Sequence, residues 1–127
     1  PQSFKNIKLD GYINCGEVED LNLFLSDKNV LISPLFSAGG IRVKLVESLM
    51  EGRCIIASDI AAEGIIIENG VNILIANDKN EFIEQMELVT NNPIQIERIG
   101  QEAKKSAQNQ FNINNLSNQL ITFYNSL

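Results

Sequence analysis

The residues with the chemistry to hold a phosphate lie in one stretch. Gly39, Gly40, Ile41, Arg42, Lys44 and Glu47 follow closely within residues 29–59, NVLISPLFSAGGIRVKLVESLMEGRCIIASD. A glycine pair lets the backbone turn sharply with no Cβ in the way. Where such a turn opens a helix, the N-terminus is a natural seat for a phosphate. Arg42 and Lys44 fall in the first turn predicted for that helix. Cations there oppose the helix macrodipole at a cost of about 0.3–1 kcal/mol each, and an anion held at the same end reverses the sign. Glu47, one turn above Lys44, can face the same mouth, where a carboxylate accepts from a pair of sugar hydroxyls. The same spacing also suits a solvated Lys44–Glu47 pair on an ordinary crossover helix. Spacing alone leaves both readings open.

The elements that must position these residues can be read from their flanks. Val30, Leu31 and Ile32 form a continuous apolar run, the pattern of a strand buried on both faces of a parallel sheet. Pro34 cannot donate to a ladder and ends that strand near Ser33. A helix is predicted over 41–51, with Ile41, Val43, Leu45, Val46, Leu49 and Met50 in one apolar arc that also holds Arg42, and Gly52 to stop it. Cys54 to Ser58 reads as the next buried strand, and Asp59 begins a turn. In such a βαβ unit, ligands bind at the carboxyl ends of the strands.

The ordered set Gly39, Gly40, Arg42, Lys44, Glu47, Gly52-Arg53-Cys54, Glu63-Gly64-Ile65, Gly70 and Asn72-Ile73-Leu74-Ile75 resembles the donor-nucleotide half of retaining glycosyltransferases of the GT-B type. It is most similar to the bacterial group 1 family that builds polysaccharides and glycoconjugates. Two positions depart from the pattern. Many relatives carry paired glutamates, of which Glu47 matches the second, while Gly39 stands at the first. Cys54 stands where proline is usual.

The resemblance implies an α/β fold: a three-layer, Rossmann-like parallel sheet with flanking helices. This is the C-terminal half of a GT-B fold without its first βα segment. It implies a single donor-binding domain over 1–127 and a missing N-terminal acceptor domain of the same chain. The expected ligand is a nucleotide-sugar substrate, with no cofactor and no bound metal. The amides of Gly40 and Ile41 are expected at the phosphate, Arg42 and Lys44 neutralise it, and Glu47 holds the ribose or sugar hydroxyls. Gly11 and Tyr12 would border the donor cleft, and Glu63 would approach it from a later loop. The parent protein would transfer a sugar to a glycan or lipid-linked acceptor, and the chain alone is expected to be inactive. The implied location is cytoplasmic, with any attachment to the inner membrane through the missing part. A receiver-like regulatory domain and a noncatalytic nucleotide-sugar-binding module remain as alternatives.

Composition narrows the remaining classes. The 127 residues suit one domain with a real core. The net charge of −6 argues against nonspecific nucleic-acid binding, which needs a basic footprint. With no histidine, Ser-His and Cys-His nucleophile pairs and histidine metal sites are excluded within this chain. Cys15 and Cys54 form no metal motif, and Cys54 reads as a small buried residue in a reducing compartment. No apolar run approaches the roughly 18 residues of a spanning helix.

Outside the central stretch, 7–13 reads as a first strand and 17–26 as a short helix opened by Glu19-Asp20-Leu21. Ile60 to Ile66 reads as a helical turn, and Asn69-Gly70 as a tight turn before a strand at 71–76. Asp78 with Glu81 makes a capping box ahead of Phe82, Ile83, Met86 and Val89. Asn92-Pro93 opens a helix striped by Ile96, Ile99, Ala103 and Ala107, and Asn112 caps the last, striped by Leu116, Leu120, Phe123, Tyr124 and Leu127. All these stripes are expected to face the core. The resemblance adds that the stretch Phe123 to Leu127 could cross toward the other domain.

Overall fold

The structure, a computed structural model, describes residues 9–37, 40 and 42–127. Three parallel strands lie in the order β1 (Val30–Ser33), β2 (Cys54–Ala57), β3 (Leu74–Ile75). Val30 pairs with Cys54, Ser33 with Ala57, and Ala57 in turn with Ile75. Each strand returns through a crossover, so all three carboxyl ends open on one side. The helices are α1 (Leu21–Leu25), α2 (Val43–Met50), α3 (Lys79–Asn91), α4 (Pro93–Gln110) and α5 (Ile113–Ser126).

β2 is the centre. All four of its residues are fully buried, because successive side chains enter opposite faces. Ile55 and Ala57 join Leu45 and Leu49 of α2, Ile73, and Ala103 and Ala107 of α4 on one face. Cys54 and Ile56 join Leu74, Ala76, Phe82 and Val89 of α3, and Ile99 of α4, on the other. The result is the expected three-layer α/β arrangement. Burying an isoleucine such as Ile55 or Ile56 contributes about 1.5–3 kcal/mol. Burial also pushes the Cys54 thiol up to about 11, a weaker acid than an exposed cysteine.

Helix α4 serves both clusters, and it does so by crossing close to the turn after α2. Gly52 takes φ +76°, a conformation that ends α2 and that side chains rarely adopt. Gly100 lies directly against it: a Cβ on Gly100 would sit 2.1 Å from the Gly52 carbonyl oxygen. Arg53, at 9 % exposure, fastens the same end of the sheet. Its Nε donates to the Lys28 carbonyl (3.2 Å), Nη2 to the Leu25 carbonyl (2.7 Å), and Nη1 lies against the Glu51 carboxylate.

Several elements differ from the sequence expectation. Residues 1–8, with the first two residues of the strand predicted over 7–13, lie outside the described residues, and 9–13 form a turn rather than a strand, closed by the Tyr12 amide on the Leu9 carbonyl (3.0 Å). Helix α1 is shorter than 17–26, because Asp20 caps it by accepting from the Leu23 amide. β1 is not buried on both faces: Ile32 is 41 % exposed, since among the described residues β1 pairs only with β2. The strand at 71–76 narrows to Leu74–Ile75, preceded by a bridge between Asn69 and Ile73. In α3, Phe82 and Val89 are buried while Ile83 and Met86 face outward. The α5 stripe is exposed at Leu116, Leu120, Phe123, Tyr124 and Leu127, so it does not face this core. The Asp78 box is half-formed: Asp78 accepts from the Glu81 amide, but the Glu81 carboxylate accepts from Asn77. Asn92 directs its side chain back to the Leu88 carbonyl and leaves the start of α4 to Pro93.

Two outcomes test this packing. Gly100→Ala improves helix propensity, yet it should destabilise by about 1–3 kcal/mol because the methyl meets backbone; urea denaturation reads the sign. At pH 8 a thiol reagent should label one cysteine rapidly, the exposed Cys15, and Cys15→Ser should remove that phase while Cys54 stays silent.

Candidate functional site

The site is built where the three carboxyl ends meet the start of α2. Ser58, at 1 % exposure, closes the end of β2. Its amide donates to the Ser33 carbonyl (3.3 Å), its Oγ to the Leu35 carbonyl, and it accepts from the Ala61 amide (3.2 Å). It thus joins the loop after β1 to the loop after β2. The end of β3 is tied in by a reciprocal pair. Asp59 donates its amide to Asn77 Oδ1 (2.9 Å), and Asn77 Nδ2 donates to Asp59 Oδ2 (2.7 Å).

On this platform α2 begins two residues later than predicted. Arg42 is its N-cap, with extended backbone (φ −86°, ψ 103°), rather than a residue of the first turn. The apolar periodicity runs through Arg42, but its backbone has not yet entered the helix. Leu45 and Val46 donate to the Arg42 carbonyl (3.0 and 3.1 Å), so the amides of Val43 and Lys44 precede the helical ladder. Gly40 stands before the cap at φ +80°, a turn conformation suited to glycine. Gly39 of the expected glycine turn and Ile41, whose amide is expected at the phosphate, lie outside the described residues.

The N-terminus of α2 has no side-chain cap and no acidic residue in its first turn. Instead it carries two cations in different states. Lys44 Nζ donates to Glu47 Oε2 at 2.6 Å, and both side chains are about half-exposed. Arg42 is partly buried, and its Nε and Nη2 are sealed from solvent without a hydrogen-bond partner. An unsatisfied buried charge-bearing group is costly, and an anion beside it would remove that cost. The helix field and the amides ahead of the ladder favour negative charge at this end of α2, and the unpaired guanidinium at its N-cap would gain from an acceptor.

The other expected residues stand apart from this cluster. Gly11 (φ +75°) and Tyr12 belong to the exposed 9–13 turn. Glu63 is exposed on the turn after β2, with its amide on the Ile60 carbonyl. Among the described residues, no hydrogen bond joins Tyr12 or Glu63 to Arg42, Lys44 or Glu47. Sequence reasoning did not single out Ser58 or Asn77 as parts of the platform. The available signal was a small polar residue directly after each apolar strand. No group of three or more histidine, cysteine, aspartate or glutamate residues gathers among the described residues. A cavity of about 420 Å3 opens at the opposite end of the sheet, beside Lys28, Arg53 and Glu97. Its lining does not include the α2 start, and its cations are already engaged, Arg53 by Glu51 and Lys28 by Asp27. Among the described residues no helix is long and apolar enough to cross a membrane.

A three-layer sheet with a helix N-terminus open at the strand ends defines a Rossmann-like α/β domain of the GT-B glycosyltransferase type. Comparison with known proteins gives the family. The group described as glycosyl transferases group 1 matches residues 2–92, and the chain belongs to that family. Among solved structures, Anabaena Alr3699/HepE in complex with UDP is similar, with a TM-score of 0.73 at 15% sequence identity. The match covers 87% of this chain and 31% of that one. The same protein in complex with UDP-glucose matches with a TM-score of 0.67 at 16% identity, over 82% of this chain and 29% of that one. The chain thus spans about a third of the length of these solved relatives. No curated protein matches the sequence.

If Arg42 is a charge held open, its removal should not weaken the unliganded fold. Arg42→Met is expected to leave stability unchanged or raise it, by up to about 1–3 kcal/mol, as read by thermal unfolding without ligand. A structural arginine would give the opposite sign.

Proposed function

We propose that this chain is the donor-binding part of a glycosyltransferase that transfers a sugar from a nucleotide-sugar to a glycan or lipid-linked acceptor. The observation that carries the reading is Arg42, whose Nε and Nη2 are buried and unpaired beside the open start of α2 in a chain of this family. The UDP and UDP-glucose named for the HepE complexes make a uridine nucleotide the first ligand to test.

In the proposed reaction, the bond from the anomeric carbon to the diphosphate breaks. Its electron pair leaves with the nucleoside diphosphate, and the acceptor oxygen forms the new bond as its proton passes to the departing diphosphate. Negative charge grows on the departing diphosphate, so stabilisation is electrostatic. Arg42, Lys44 and the amides at the helix start would supply it, and Glu47 would accept from the ribose or sugar hydroxyls. In this reading the cationic side chains perform the neutralisation for which other enzymes recruit a metal. Retention at the anomeric carbon, a role in polysaccharide synthesis and a cytoplasmic location follow the resemblance to group 1 enzymes. Acceptor binding and turnover would require a further domain, so the chain by itself should bind the donor without transferring sugar.

Calorimetric titration of the chain with UDP, ADP and GDP tests the reading. One nucleoside diphosphate should bind saturably, and Glu47→Ala and Arg42→Met should each weaken it by about tenfold or more with the fold intact by circular dichroism. Equal affinity in wild type and both variants would refute the site.

A further inference from the structure

The two cations at the start of α2 are not equivalent. Arg42 has two nitrogens with no partner, whereas Lys44 is already engaged by Glu47 at 2.6 Å. Resting on the donor-site reading above, we propose that the Lys44–Glu47 ion pair is a selectivity latch that the diphosphate of the ligand opens. A vicinal diol uses both oxygens of a carboxylate, and in the unliganded chain Glu47 Oε2 is occupied by Lys44. A nucleoside diphosphate brings a replacement partner for the ammonium. Lys44 turns from Glu47 to the phosphate, and Glu47 is freed for the hydroxyls. Charge is exchanged rather than lost, and Arg42 gains the partner it lacks. A nucleoside without phosphates has nothing to offer Lys44, so it must compete with the ammonium for the carboxylate. The pair therefore penalises nucleosides while sparing nucleotides, and Lys44 sets specificity as well as attracting charge.

The geometry permits the exchange. Lys44 and Glu47 lie one helical turn apart, both half-exposed, on a helix whose core contacts come from Leu45, Ser48 and Leu49. Rotating either side chain disturbs no buried contact. The i,i+3 pairing is weak enough to be displaced, being worth a few tenths of a kcal/mol as a solvated pair.

The test follows two ligands on three proteins: UDP and uridine on wild type, Lys44→Met and Lys44→Arg, by calorimetry or by NMR shift titration for the weaker ligand. If ADP or GDP proves the tighter diphosphate, it and its nucleoside replace this pair. Lys44→Met should weaken the diphosphate by about tenfold and tighten the nucleoside by about one-and-a-half- to twofold. The changes have opposite signs, which loss of a simple phosphate contact would not produce. Lys44→Arg should keep the wild-type order. If the diphosphate binds and depends on Glu47 while Lys44→Met leaves the nucleoside unchanged or weaker, the latch is wrong and the donor site stands. If no nucleoside diphosphate binds the wild-type chain, both the donor-site reading and the latch fall.

Discussion

Everything in this fold hangs on β2. Four residues with no exposed surface divide two clusters of apolar side chains between the faces of the sheet. Parallel pairing on both edges fixes its register to β1 and β3 at once. A slip of one residue would send Ile55 and Ala57 into the space of Cys54 and Ile56, and α2, α3 and α4 would all lose their floor. The same register fixes where the strands stop. Ser58 and Asp59 can therefore bond to Leu35 and Asn77, which belong to the neighbouring strand ends.

The two ends of the sheet are built on different principles. At the amino end, charge is consumed internally. Arg53 spends its donors on Leu25 and Lys28 and rests against Glu51, and Gly52 and Gly100 bring two backbones into contact. At the carboxyl end, neutral side chains and one aspartate make the platform, and the cations above it are left partly unsatisfied. Buried guanidinium nitrogens without a hydrogen-bond partner occur at both ends, but Nη1 of Arg53 has the Glu51 carboxylate against it, whereas Nε and Nη2 of Arg42 have no ion pair among the described residues. The proposed donor site lies at the carboxyl end, where the general rule for open α/β sheets puts ligands.

The α2 helix couples fold to site. Its inner side, through Leu45 and Leu49, is held by β2 and α4, and its outer side carries Lys44 and Glu47. The buried side keeps the helix axis fixed while the exposed pair stays free to change partners. A site on such an element combines a rigid amide array with adjustable charges.

The sequence by itself determined β1, β2, the stop at Gly52 and the stripe of α4. Continuous apolar runs bounded by proline or glycine, and a stripe at helical period, allow few other local structures. It determined the family too, because the ordered glycines, cations and Glu47 survive as a pattern along the chain. Tertiary structure decided what period and propensity leave open. Helical periodicity does not say where a helix starts, so Arg42 was read as a first-turn residue. Only the backbone at φ −86°, ψ 103° makes it the cap rather than a residue of the first turn. Periodicity likewise reports that Ile83, Met86 and the α5 stripe share faces with other apolar residues, but not what covers those faces. Tertiary structure alone separated a held Lys44 from an open Arg42, since a charge is paired or unpaired only through atoms that folding brings within reach.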